Sequence, residues 1–198
     1  MNIVAQAAAC DYLTVGAHTY GQPLDIRTWR PHYPEKAQIT IGRYCSISQG
    51  VTVFLGGNHC TAWLSTYPFA AVGWAKAKHR MDAAMTSFSD GDVVIGNDVW
   101  LGSEATIMSG VTIGDGAVIG ARAVVADDIT PYGIAVGNPA KTVKLRFSME
   151  VVEQLLAIRW WNWPSDDVAE VAGILSSDDV PGLLEYAKRT GVPSIGRG

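Results

Sequence analysis

One histidine holds a position suited to chemistry. His59 stands in the run Gly56-Gly57-Asn58-His59-Cys60, inside a stretch from about 54 to 94 that also carries His79, Pro68 and the aromatics Trp63, Tyr67, Phe69, Trp74 and Phe88. An imidazole titrates near neutrality, so it can take the proton of an attacking hydroxyl. A loop histidine can also do no more than hydrogen-bond its own backbone, and residue type alone leaves both readings open. Cys60 follows directly; its thiol could form an acyl-enzyme or serve as a small apolar spectator. A second constellation is cationic: Lys141, Lys144 and Arg146 fall within six residues. Such a group can pair with phosphate or form a solvated face, and Lys144 fits the solvated reading. The three cysteines, Cys10, Cys45 and Cys60, have neither metal-ligand spacing nor the density of a disulfide framework, so no metal site is expected.

The elements that must position these groups come from an internal repeat. From Ile95 the chain falls into sixes: IGNDVW, LGSEAT, IMSGVT, IGDGAV, IGARAV and VADDIT. The first place is always aliphatic (Ile95, Leu101, Ile107, Ile113, Ile119, Val125). The fifth is small or β-branched (Val99, Ala105, Val111, Ala117, Ala123, Ile129). Gly fills the second place in four of the six units. The same grammar governs IGRYCS from Ile41 and ISQGVT from Ile47, with Val53 opening a third unit and a weaker unit at Val15-Gly16. Six is not a helical period, and β-branched content favours strands. One short strand and one turn per unit make a triangular turn of about 18 residues, stacked as parallel strands about 4.8 Å apart. First-place side chains then point inward, fifth-place ones fill beside a corner, and second-place Gly relieves crowding where the chain turns.

Two insertions interrupt the repeat, at about 20–40 (Tyr20, Trp29, Tyr33, with Pro23, Pro31 and Pro34) and at about 54–94. A long loop inside a compact array is uncommon unless functional. After Pro139 the pattern turns helical. Ser148 can cap a helix reaching about Arg159, Ser165-Asp166-Asp167 starts one to about Leu175, and Asp179 starts a third closed by Gly191. The expected organisation is a mainly β domain over 1–146 and a helical segment over 147–198.

Composition excludes several classes. A net charge of −4 offers no broad basic field to nucleic acid or anionic lipid. With 48% apolar and 17% charged residues, the chain can bury a core and is not disordered. The stretch from Ile3 to Cys10 is mildly apolar but lacks a basic flank and a long apolar run. No signal peptide or membrane span is expected, which makes the cytoplasm the default location.

The segments TYGQP (19–23), IGRYCSI (41–47), GGNHCTAWLSTYPF (56–69), GDVVIGNDVWLG (91–102), VGNPAK (136–141) and IRWWNWP (158–164) resemble the xenobiotic acetyltransferase group of hexapeptide-repeat acyltransferases. That group includes the hexapeptide-type chloramphenicol and streptogramin acetyltransferases and related saccharide O-acetyltransferases. The likeness runs from about Val15 to Leu184, and it is specific to the group but not to an acceptor. It implies a single-stranded left-handed parallel β-helix, a homotrimer with active sites between subunits, and acetyl-CoA as co-substrate. His59 would then be the general base for direct transfer to a hydroxyl of a small acceptor, an antibiotic, other xenobiotic or sugar.

The resemblance also sorts the other residues. Trp100 would lie beside the pantetheine arm, with Gly102 allowing close approach and amides near Trp100-Leu101-Gly102 serving the oxyanion. Gly120 and Ala121 would offer backbone to the cofactor, and Lys141 and Arg146 would meet its phosphates. Tyr20, Tyr67, Pro68 and Phe69 would line the acceptor pocket, where Asp25 would orient His59 or bind an acceptor hydroxyl. Cys60 becomes a spectator, and His18, His32 and His79 ordinary surface. Trp160, Trp161 and Trp163 would pack the helical appendage onto the β-helix or a neighbouring subunit. Two alternatives remain on the same fold: N-acylation of an amino sugar, and a non-catalytic β-helix binding module.

Overall fold

The computed structural model describes residues 1–28, 37–70, 72–74 and 88–191. Within them each six-residue unit forms one short strand, and up to Val125 successive strands visit three sheets in turn, each pairing in parallel with the strand one turn away. The first sheet holds β1 (Leu13–Val15), β4 (Ile39–Ile41), β7 (Val93–Ile95) and β10 (Thr112–Ile113). The second holds β2 (Tyr20–Gly21), β5 (Ser46–Ile47), β8 (Trp100–Leu101), β11 (Val118–Ile119), β13 (Gly133–Gly137) and β14 (Ala140–Leu145). The third holds β3 (Asp25–Arg27), β6 (Thr52–Phe54), β9 (Thr106–Ile107) and β12 (Val124–Val125). Ile95 pairs with Ile113, Leu101 with Ile119 and Ile107 with Val125, each a step of 18 residues. This repeat of parallel strands fits a left-handed β-helix with a helical part at its C-terminal end.

Burial follows the six-residue grammar. First-place Ile95, Leu101, Ile107, Ile113, Ile119 and Val125 and fifth-place Val99, Ala105, Val111, Ala117, Ala123 and Ile129 all lie in one core. The turns themselves are made at the fourth place, which is left-handed in five of the six units from Ile95: φ is 54° at Asp98, 60° at Glu104, 80° at Gly110, 70° at Gly116 and 60° at Arg122, with 58° at Tyr44 in the earlier block. Second-place Gly relieves crowding between stacked turns, as expected. A Cβ on Gly102 would stand 2.6 Å from the Ala121 nitrogen of the next turn, so any side chain would force the turns apart. His18 belongs to this pattern as well. It is the fourth residue of the unit opened by Val15, with φ 64°, and its ring stacks on Tyr44 at 4.6 Å. It is an exposed coil corner.

The first insertion is shorter than expected, because β2 and β3 fall inside 20–40. Tyr20 pairs with Ser46 and Asp25 with Thr52, so these residues are coil. The second insertion spans β6 to β7, where the step between paired residues is 54, Ile41 against Ile95. A short helix, α1 (Ile3–Ala8), abuts the first turn: Ile3 is buried, and the Gln6 amide exchanges two hydrogen bonds with the Leu24 backbone.

The chain divides into two units, Met1–Lys144 and Leu145–Gly198. The second begins with α2 (Met149–Ile158), where the Ser148 hydroxyl accepts from Val151 N–H and Arg159 ends the helix in a left-handed conformation. The single helix expected from Ser165 to Leu175 is two, α3 (Ser165–Glu170) and α4 (Ala172–Leu175), broken at Val171. Val171 is buried, and Gly173 two residues on weakens helix continuation. The Asp179 carboxylate caps α5 (Val180–Thr190), and Gly191 closes it at φ 58°. Trp161 and Trp163 are buried. Trp163 stacks on Tyr186 at 5.8 Å and donates its indole N–H to the Ile158 carbonyl. No described helix is long and apolar enough to cross a membrane.

Candidate active site

The insertion leaves the third sheet at Phe54, and Leu55 extends its ladder by donating to the Arg27 carbonyl at 2.9 Å. Asn58 then meets Phe88 in an antiparallel bridge, with both backbone bonds made at 3.1 and 2.9 Å. His59 follows and is exposed. Its Nδ1 lies 2.7 Å from the Thr66 carbonyl oxygen. A carbonyl only accepts, so Nδ1 carries the proton, and a neutral ring keeps its lone pair on Nε2. The Thr66 carbonyl belongs to the peptide that leads into Tyr67, so the aromatic cluster starts at the partner of the imidazole. Tyr67 and Phe69 meet edge to face at 4.8 Å, and Phe69 and Trp74 at 5.5 Å. Pro68 is half-buried between the two exposed rings. Asp25, expected to orient His59 or bind an acceptor, is ion-paired with Arg27 at 2.5 Å; the orienting partner of the imidazole is Thr66.

Four of the residues expected to meet the cofactor, Trp100, Gly102, Gly120 and Ala121, lie on the second sheet and the corner that follows it. Trp100, 54% exposed, lies on the outer face of the second sheet, in the same row as Tyr20, which is 66% exposed. The chain turns at Gly102 between β8 and β9 and at Gly120-Ala121 between β11 and β12, one turn further on. The extra Cβ at Gly102 would also touch the Ile119 carbonyl and Gly120, so these three residues form one column. Two amides expected to serve the oxyanion are already used. Trp100 N–H donates to the Ala117 carbonyl at 3.0 Å and Gly102 N–H to Ile119 at 2.8 Å, which commits both to the ladder. Lys141, on β14, is exposed and ion-paired with Asp127 at 2.7 Å. Arg146 lies in the second unit, its guanidinium 5.4 Å from the Phe147 ring.

Cys60 is a half-buried free thiol, while His32 and His79 lie outside the described residues. Among the described residues no group of three or more His, Cys, Asp or Glu could hold a metal ion.

Residues 92–127, the stacked turns just described, match the family model for the bacterial transferase hexapeptide of six repeats. Over 180 residues the chain is 39% identical to a chloramphenicol acetyltransferase from Morganella morganii, covering 88% of this chain and 84% of the relative. The chain belongs to the hexapeptide-repeat acetyltransferases. It is also 42% identical over 157 residues to the virginiamycin A acetyltransferase of Staphylococcus aureus, covering 76% of this chain and 68% of that one. A hexapeptide-repeat acetyltransferase from Vibrio cholerae, solved with acetyl coenzyme A, shares the fold with a TM-score of 0.50 and 21% identity. That match covers 70% of this chain and 62% of the Vibrio chain, less than two thirds of it.

For this acetyltransferase, sequence reasoning missed three sets of contacts around the candidate residues. The Thr66 carbonyl has no side-chain signature at all. Asp127, the partner of Lys141, sits in the last unit, VADDIT, where one of two adjacent aspartates is indistinguishable from a solvated one. The contacts of Asn58 with Asp90 and Ser109 join residues 32 and 51 positions apart. The one available signal was Ser109, a polar residue beside buried places in the unit IMSGVT.

Proposed function

We propose that this acetyltransferase moves an acetyl group from acetyl-CoA directly to a hydroxyl of a small acceptor, an antibiotic, other xenobiotic or sugar, with His59 as general base. The observation that carries this reading is the bond from His59 Nδ1 to the Thr66 carbonyl at 2.7 Å. It leaves Nε2 as the ring acceptor on an exposed imidazole. The acceptor oxygen attacks the thioester carbonyl carbon while Nε2 takes the hydroxyl proton. Collapse of the tetrahedral species breaks the carbon–sulfur bond, and the imidazolium returns the proton to the departing thiolate, so the base is regenerated. Tyr67, Pro68 and Phe69, next to Thr66, offer the acceptor an apolar wall, with Tyr20 contributing from the coil. Trp100, Gly102, Gly120 and Ala121 flank the pantetheine arm, and Lys141 meets phosphate, exchanging its Asp127 partner for it. Relatives named for chloramphenicol and virginiamycin favour an antibiotic-like acceptor.

The reading extends to assembly. The anchor of the His59 loop lies at the corner after β9, and the Gly102–Gly120 column at the corner after β8. A closed left-handed coil is a triangular prism, and three prisms packed side by side bring one chain's histidine corner to the next chain's column. The active unit is thus a cytoplasmic homotrimer, with residues 1–146 as the acyltransferase domain and 147–198 as a helical appendage.

The test is release of free thiol from acetyl-CoA with a panel of chloramphenicol, a streptogramin, saccharides and amino sugars. A hydroxyl acceptor should support turnover, and His59→Ala should lower it by about 10²-fold or more. Turnover of that variant within about tenfold of the parent would remove the base assignment. Activity confined to amino sugars would replace oxygen by nitrogen as the nucleophile.

A further inference from the structure

Two polar residues among the described ones are buried, Thr19 and Ser109. Thr19 stitches the coil: its hydroxyl donates to the Gly42 carbonyl at 2.8 Å and accepts from Cys45 N–H at 2.9 Å. The third place of other units does similar work. Asn97 accepts from Arg43 N–H at 2.8 Å, and Asp115 accepts from Asn97 N–H at 2.7 Å. Ser109 also holds a third place, yet its hydroxyl faces the insertion. It accepts from Asp90 N–H at 3.2 Å and lies 3.4 Å from Asn58 Nδ2. The same Nδ2 donates to the Asp90 carboxylate at 2.5 Å. Gly110 N–H donates to the Gly91 carbonyl at 3.0 Å, and a Cβ on Gly110 would lie 2.7 Å from the Asp90 carbonyl. The coil corner is therefore pressed against Asp90-Gly91 with no room for a side chain.

We propose that Asp90 and Ser109, acting through the Asn58 amide, are positioning residues that fix where His59 presents Nε2; this rests on His59 being the base. Asn58 precedes His59 by one peptide, so its side chain and the Thr66 carbonyl are two separate restraints on one imidazole. Without the Asp90 carboxylate, Asn58 keeps its backbone bridge to Phe88 but loses its short bond, and the histidine backbone gains freedom. A misplacement on the scale of 1 Å is worth up to about 100-fold in rate. Asp90 is exposed, so replacing it should cost little folding stability.

The test uses full-length protein and variants Asp90→Ala and Asp90→Asn. Nitrogen-15 histidine spectra, with the His59 signal assigned by its loss in His59→Ala, report the tautomer without any acceptor. Asp90→Ala should mix the Nδ1–H tautomer with its alternative. With the acceptor identified by thiol release, it should lower kcat by about 10- to 100-fold and leave KM for acetyl-CoA within about threefold. Asp90→Asn, whose side-chain oxygen still accepts from Asn58, should restore the parent spectrum and most of kcat. A parent-like tautomer signal in Asp90→Ala would overturn the proposal. So would a loss that Asn does not rescue or that tracks a fall in melting temperature. If His59→Ala keeps its turnover, the base reading fails first; if only Asp90→Ala is silent, the positioning role alone fails.

Discussion

Between Val93 and Val125 the first-place side chains are 0 to 1% exposed, whereas in the insertion Phe69, Tyr67 and Trp74 are 39, 50 and 61% exposed. Both regions are rich in large apolar groups. The coil uses them to exclude water, each turn covered by its neighbours, so its rigidity is shared along the stack. The described part of the insertion leaves these rings facing solvent and makes a few hydrogen bonds: the Asn58–Phe88 bridge, the Asn58 contacts to Asp90 and Ser109, and those from Val72 and Trp74 N–H to the Pro68 and Phe69 carbonyls. Exposed aromatics on a loop anchored to a stiff frame suit binding rather than folding. The contrast teaches that hydrophobicity alone does not assign a role here; the register of the repeat does.

Deleting equivalent bulk from the two regions should give the largest difference. Ile107→Ala, in a fully buried first place, should cost about 2–5 kcal/mol in denaturant unfolding. Phe69→Ala should stay within about 0.5 kcal/mol while reducing turnover with a bulky acceptor. Equal losses of stability would break the comparison. A smaller effect concerns the thiols. Burial, opposed by hydrogen bonds involving the Val99 backbone and the Thr19 side chain and aided by the nearby Asp98 and Asp115 carboxylates, pushes the buried Cys45 thiol up to about 11 from an ordinary value of 9.0. The unfolded chain then releases that proton first. Stability from this group is whole below pH 9 and falls as pH rises towards 11, by about 3 kcal/mol in all. Cys45→Ala should flatten the pH dependence of the melting temperature in that window. The smallest effect belongs to the coil's outer corner. Glu104 and Arg122 pair at 2.8 Å with both side chains in solvent, and Arg122→Ala should leave the melting temperature where it was, at low or high salt.

Particular residues show how far the sequence could be read. The units from Ile95 onward are legible because one side-chain type recurs at one interval, and burial of Ile95, Leu101, Ile107 and Ile113 follows from type and spacing together. Second-place glycine relieves crowding as its spacing suggests, for a Cβ at Gly102 has no room; the left-handed backbone at Tyr44, Asp98, Glu104 and Arg122 is not legible, because an aromatic, two acidic and one basic side chain share no signature. At the candidate site His59 was legible from its loop and motif. The ion pair of Asp25 with Arg27, two residues away, was not legible, because spacing alone does not tell which neighbour a carboxylate meets.

By itself the sequence determined the six-residue phase, the strands, the inward-facing set and the membership in an acetyltransferase family. These are local properties, repeated often enough for each unit to vouch for the next. Only the tertiary structure decided which nitrogen of His59 bears the proton, which carbonyl holds it, and that Ser109 faces the loop while Thr19 faces the coil. It also set the His59 anchor and the Gly102–Gly120 column on different corners. Such contacts join residues far apart in the chain, often through backbone atoms that every residue possesses, so no pattern of residue types encodes them.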